Sequence, residues 1–198
     1  MDDTTTTNAT TSDAGTGDQG TGGPSDAAGA AAGAAAIGAI LTRMLQEINL
    51  DREIAIAISN FTSDNKLKDP KYYIESGKIV DAALTVDTGK AEFVSASKTS
   101  GAATGSVAVI TYQISHTSYR LAILWSVPFD YNLYENVFNF KIVDAGTATD
   151  VNLYNDMYNG AAKATDGAYK VTDKGFKVKG TMGTGGQATL NISFKTDS

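Results

Sequence analysis

A mainly β protein, built as a single β-sandwich flanked by two α-helices, is predicted by three features of the chain. Short apolar runs with a period of two recur from residue 50 to the end. Turn signals separate these runs at regular spacing. Two stretches, near residues 26–49 and 150–161, change instead to a helical period. Many short strands joined by Gly-, Asp- and Asn-rich turns favour a sandwich over a parallel α/β sheet.

Residues 1–25 are Thr, Gly, Asp and Asn with no apolar periodicity, so a disordered tail is expected. They lack the basic start and apolar core of a signal peptide. The string Gly15-x-Gly17-x-x-Gly20 has no strand before it and no helix opening after it, and reads as a chance match to a dinucleotide motif. From Asp26 the chain becomes alanine-rich, and Ser25 or Asp26 can cap a helix start. Ile37, Ile40, Leu41, Met44, Leu45 and Ile48 then form one apolar stripe, with Thr42, Arg43, Gln46 and Glu47 off it. At 1.5 Å per residue such a helix is about 36 Å long, enough to cross a bilayer core. Its uninterrupted apolar run is mostly alanine and too short for an ordinary anchor. Gly29 and Gly33 would allow close approach of helices. Both a helix docked on the domain and a membrane-inserting element remain open on these residues.

The sandwich domain is assigned to residues 50–198. Its first strand alternates Ile54, Ile56 and Ile58 with Ala55 and Ala57. Further strands are predicted at 72–75, 79–86, 91–97, 106–114, 120–127, 137–143, 176–180 and 188–194. Near Thr149 or Asp150 a second helix begins, with Val151, Tyr154, Met157, Tyr158 and Ala161 at helical steps. Tyr154 and Tyr158 fall on one face, either to pack the helix or to meet a ligand.

Between two strands lies Ser126-Val127-Pro128-Phe129-Asp130-Tyr131-Asn132-Leu133-Tyr134, where Pro128, Asp130 and Asn132 signal a turn. So many rings in a loop either cap the sandwich or form a surface that meets a partner.

The composition excludes several chemistries. Hydrophobic residues make up 42% of the 198, enough for a core. With no cysteine and one histidine, His116, neither a zinc cluster nor a thiol or Ser-His-Asp mechanism can be assembled. No carboxylate pair has acid–base spacing, and no calcium loop is present. A non-enzymatic binding protein without metal or cofactor is expected. The net charge is −6, but five of the 22 acids lie in residues 1–26, leaving 17 against 16 bases. A near-neutral body does not suit nucleic acid.

The Ser126–Tyr134 segment, with Asn136 and Asn139 beyond it, resembles the corresponding segment of the actinoporins, the pore-forming cytolysins of sea anemones and their relatives. The likeness extends over residues 27–197 through Arg52-Glu-Ile-Ala-Ile, Ser76-Gly77, Gly89-Lys-Ala, Lys98, Ala103-Thr-Gly105, the Leu121–Leu124 run and Gly175-Phe176. It implies a sandwich flanked by two helices that binds phosphocholine headgroups, with sphingomyelin a favoured lipid. It also implies a monomer in solution that becomes a homo-oligomeric, cation-permeable pore when the N-terminal helix inserts. By position, the resemblance implies a headgroup site of Ser76, Val107, Ser126, Pro128, Tyr134, Tyr154 and Tyr158. It implies a membrane-facing loop of Phe129, Tyr131, Leu133 and Val137, and oligomer contacts at Arg52 and Lys98. Leu133 and Val137 stand where the family carries tryptophan, and Asn159 where it carries a third tyrosine. Such proteins are released to act on a target-cell membrane, while storage in the cytoplasm would suit the missing signal pattern. The alternative is a non-lytic lectin-like or lipid-binding sandwich, as in fungal fruit-body lectins.

Overall fold

The computed structural model describes residues 24–197, with side chains from residue 33 onward. Residues 1–23 of the predicted tail, with the Gly15/Gly17/Gly20 string, lie outside the described residues, as do the surroundings of Gly29. Helix α1 spans Pro24–Ile48. It starts ahead of the expected boundary and already includes Ser25 and Asp26, so neither precedes its first turn as a cap. Proline's fixed φ suits a first helical turn. At the other end Asn49 turns left-handed (φ 51°) and its N–H bonds to Leu45 O at 2.9 Å, stopping the helix.

The strands are β1 (Glu53–Asn60), β2 (Leu67–Ser76), β3 (Lys78–Asp81), β4 (Ala91–Ser97), β5 (Ser106–Ile114), β6 (Tyr119–Val127), β7 (Val137–Asp144), β8 (Ala162–Lys163), β9 (Tyr169–Asp173), β10 (Phe176–Met182) and β11 (Gln187–Thr196); helix α2 (Val151–Tyr158) lies between β7 and β8. One sheet has the order β3-β4-β1-β11-β10-β9 and the other β2-β5-β6-β7-β8. All ladders are antiparallel except β1 with β11. The predicted sandwich with two flanking helices is therefore the fold.

Its core lies between the sheets, where Ile54, Ile56, Ile58, Leu190, Ile192 and Phe194 meet Ile110, Ile123, Trp125, Phe138 and Phe140. Burial of that many large apolar side chains dominates the folding energy. The alternate residues on two outer faces are covered by the helices. Leu41 of α1 packs on Ala55 and Ala57 of β1, and Leu153 and Met157 of α2 pack on Val109, Ala122 and Leu124. This is why every residue of β1 is buried despite its clean Ile/Ala alternation.

Three departures from the sequence reading have local causes. β2 begins at Leu67 although Asp69 is left-handed (φ 51°) and Pro70 follows. The buried Arg120 guanidinium clamps that break, donating to Asp69 O at 2.6 Å and to Asp69 Oδ2 at 3.1 Å. The predicted 79–86 strand shortens to β3, with Val86 making an isolated bridge to Leu67. β8 and β9 were not foreseen, since one has two residues and the other is mostly polar.

Candidate functional site

The outer face of the five-stranded sheet is organised in cross-strand rows. Ser76 lies opposite Val107, Val107 opposite Ser126, and Ser126 opposite Val137. Val137 thus opens β7 and belongs to the sheet, not to the aromatic loop with which it was grouped. The neighbouring row is Tyr73, Val109, Leu124 and Asn139. Glycine is required where this end of the sandwich closes. Gly77 has φ 86°, and a Cβ there would meet Ser97 O at 2.3 Å; at Gly105 it would meet Val127 O at the same distance. Ser76 Oγ donates to Gly105 O at 3.3 Å.

Helix α2 sits over the second row. Asp150 caps it, accepting from the N–H groups of Asn152 and Leu153 at 3.0 and 3.2 Å. At the opposite end the buried Asn139 Nδ2 donates to Met157 O at 2.7 Å. Held at both ends, α2 places Tyr154 and Tyr158 side by side, ring centroids 5.5 Å apart. Tyr73 from β2 extends the run, 5.8 Å from Tyr154. Burial, then the charge of Glu75, pushes the Tyr154 hydroxyl up to about 12, so it stays protonated. Neutral phenol faces, with hydroxyls at their edge, can hold a quaternary ammonium and bond to an acid oxygen.

The loop after β6 is rigidly tied despite its exposed rings. Arg52 donates to Phe129 O from Nε (3.0 Å) and Nη2 (2.9 Å), and its guanidinium lies 4.7 Å from the Tyr131 centroid. Tyr131 Oη donates to Asn136 Oδ1 at 2.7 Å; the buried Asn136 Nδ2 donates to Gly183 O and Gly185 O. Burial raises the Tyr131 pKa. Pro128 is buried, while Leu133 and Tyr134 project, 72% and 57% exposed. Lys98 pairs with Asp51 at 2.9 Å, and that bond holds the Asp51 carboxyl below its usual range. Both Arg52 and Lys98 therefore engage partners within the chain.

Of the seven residues assigned to the headgroup site, Ser76, Val107 and Ser126 share one row, Pro128 follows directly, and Tyr154 and Tyr158 stand over the next. Tyr134 lies on the loop, and among the described residues no aromatic pair joins it to the other two tyrosines. Tyr73, Glu75 and Asn139 adjoin these residues, and of the three only Asn139 figures in the sequence reading, within the resembling segment. The sequence predicts only a strand at Tyr72–Glu75, where the adjacent tyrosines are the one further signal.

On the opposite face, α1 is lightly seated. Leu41 is buried, Ile37, Met44, Leu45 and Ile48 are half-buried, and Ile40 points outward, 41% exposed. Beneath Ala34, Ile37 and Gly38 an open groove of about 370 Å³ separates the helix from β10 and β11. Among the described residues no helix is long and apolar enough to cross a membrane, and no group of side chains could hold a metal ion.

A family model described as sea anemone cytotoxic protein matches residues 26–196. Bryoporin of Physcomitrium patens is 34% identical over 152 residues, which cover 74% of this chain and 85% of bryoporin. DELTA-alicitoxin-Pse1b of Phyllodiscus semoni is 36% identical over 158 residues, covering 77% of this chain and 70% of the toxin. Among solved structures, the lipid binding protein Nakanori superposes with a TM-score of 0.65 over 80% of this chain and 77% of its own, at 14% identity, a likeness of fold alone.

Proposed function

The chain belongs to the sea anemone cytotoxic protein family, the actinoporins, and from that premise we propose that it is a pore-forming cytolysin whose sandwich docks on choline-type headgroups and whose α1 inserts. The observation that carries the proposal is the contrast between a fixed α2, which holds the tyrosines over the row next to Ser76, Val107 and Ser126, and an α1 seated on alanines. The projecting Leu133 and Tyr134 lie at the same end of the sandwich as the Asn49–Arg52 link to α1. Docking there brings the link close to the bilayer. One copy of α1 is too polar to span alone, since Arg43 and Glu47 pair on its exposed face at 2.8 Å. Several copies can turn that face to a water-filled lumen and Ile37, Leu41, Met44 and Ile48 to lipid. Homo-oligomerisation on the target membrane, from a monomer in solution, follows from this need. Arg52 and Lys98 would take part by exchanging their present partners for a neighbouring copy. Release from the producing cell is part of the same reading.

The test tethers α1. Cysteines replacing Met44 and Phe93, two members of the cluster under the helix, are joined by a short reducible crosslinker in a chain with no native cysteine. The linked protein should bind sphingomyelin/phosphatidylcholine vesicles without releasing dye, and reduction should restore release. Full leakage with the link intact would rule out insertion of α1. Binding with no leakage before or after reduction, in a chain that lacks both cysteines as well, would favour the non-lytic lectin-like alternative.

A further inference from the structure

β2 reaches the tyrosine cluster through an irregularity. Its pairing with β5 runs Tyr73 with Val109, Ile74 with Ala108, then Ser76 with Val107, so Glu75 is the extra residue of a bulge. A regular strand would set Glu75, not Ser76, opposite Val107. The bulge lets both residues serve one stretch of surface, a common way to re-aim a side chain beside a site. Glu75 Oε2 accepts a hydrogen bond from the Tyr73 hydroxyl at 2.7 Å. Through Tyr73 the carboxylate is joined to one end of the three-ring run with Tyr154 and Tyr158.

The charges around it make Glu75 distinctive. On the same side of the molecule Lys71 pairs with Asp69, Lys141 with Asp156 and Lys163 with Glu135. Glu75 is exposed and has no basic partner among the described residues. Its one polar contact donates from a phenol, and a phenol that donates to a carboxylate has a more electron-rich ring. A free carboxylate beside a run of phenol faces attracts a cation too weakly hydrated to need direct bonds, and repels an anion.

We propose that Glu75 is a specificity-determining residue of the headgroup site. It draws the quaternary ammonium of a choline headgroup onto Tyr73, Tyr154 and Tyr158 and turns away lipids that carry only negative charge. The inference rests on the headgroup reading above. It adds that selection is by charge at the β2 bulge as well as by ring faces on α2.

The test uses the full chain with tetramethylammonium, phosphocholine and phosphatidylcholine vesicles made with and without phosphatidylglycerol. Glu75→Gln keeps an acceptor for Tyr73 and removes the charge. It should weaken tetramethylammonium and phosphocholine binding roughly tenfold, flatten the salt dependence, and relieve the loss of vesicle binding caused by phosphatidylglycerol. If Glu75→Gln binds both small ligands like the wild type and phosphatidylglycerol inhibits both proteins equally, while Tyr158→Ala loses phosphocholine, the role of Glu75 is overturned and the headgroup site stands. If the wild type binds neither small ligand, the headgroup site itself is overturned.

Discussion

The two helices lie on opposite outer faces of one sandwich and are held in different ways. α2 has two buried anchors, Leu153 and Met157, a side-chain cap from Asp150 and a buried amide from Asn139. α1 is about three times longer yet has one buried anchor among its described side chains, Leu41, set on two alanines. Its Gly33 and Gly38 have open space where a Cβ would stand, so close packing does not require them. Glycine inside a helix costs about 0.5–1 kcal/mol relative to alanine. Length alone therefore says little about attachment. The short helix is part of the domain, and the long one rests on it.

The largest test of that contrast compares Met157→Ala with Leu41→Ala. Met157 is fully buried under α2, and its truncation should lower the unfolding free energy by about 2–5 kcal/mol in one cooperative transition. Leu41 is equally buried, but its truncation should leave the main urea transition nearly in place and instead speed hydrogen exchange along α1. Equal losses in the main transition would mean that α1 is integral to the fold.

A smaller effect is expected at Asn139. Asn139→Ala removes the amide from Met157 O and leaves that carbonyl only the longer bond from Gly160 N–H at 3.3 Å, at a cost of about 0.5–1.5 kcal/mol. Phosphocholine affinity should fall with it, because the bond sets the position of the tyrosine helix. Unchanged affinity in the folded variant would show that α2 keeps its place without the anchor.

The smallest effect concerns the junction of α1 with β1. Glu53 is fully buried there, accepting from Leu50 N–H and from Gln187 Nε2, each at 2.8 Å. Burial raises its pKa above the ordinary 4.5. A carboxyl raised in the folded state binds its proton more tightly there than when unfolded. Its contribution to stability is then full below pH 4.5 and is lost as pH rises through the folded value. Glu53→Gln keeps an acceptor without a charge, so its stability should vary less with pH across this window than the wild type's. Identical pH profiles in urea titrations would show that Glu53 does not couple the junction to pH.

Much of this organisation could be read in the chain. The Ile54/Ile56/Ile58 alternation, the helical steps from Ile37 to Ile48 and the Tyr154/Tyr158 spacing are local patterns, and each element lies where its period placed it. The β2 bulge was hidden, because it depends on pairing with β5. The strand expected at 72–75 begins at Leu67, and Arg120, distant in sequence, carries it through Asp69-Pro70. For the site, Ser76, Val107 and Ser126 came from resemblance, and the ladder shows why they are neighbours. Asn139 figured only as part of a resembling segment, since its bond to α2 crosses between elements, and Glu75 could not be singled out, since its place depends on the pairing of β2 with β5. Val137 was grouped with the loop because sequence proximity cannot tell the last loop residue from the first strand residue.

The position of β1 has a mechanical consequence. The strand that receives any pull from α1 is bonded on both flanks, from Glu53 to Asn60 against β11 and from Glu53 to Ser59 against β4. Tension delivered along its axis from Glu53 loads these two ladders in shear, so their bonds share the force and do not open one at a time like a zip. A helix drawn into a bilayer could therefore tug on the domain without unravelling it. The weak point under load would be the Asn49–Arg52 link, which would yield while the sandwich stays whole.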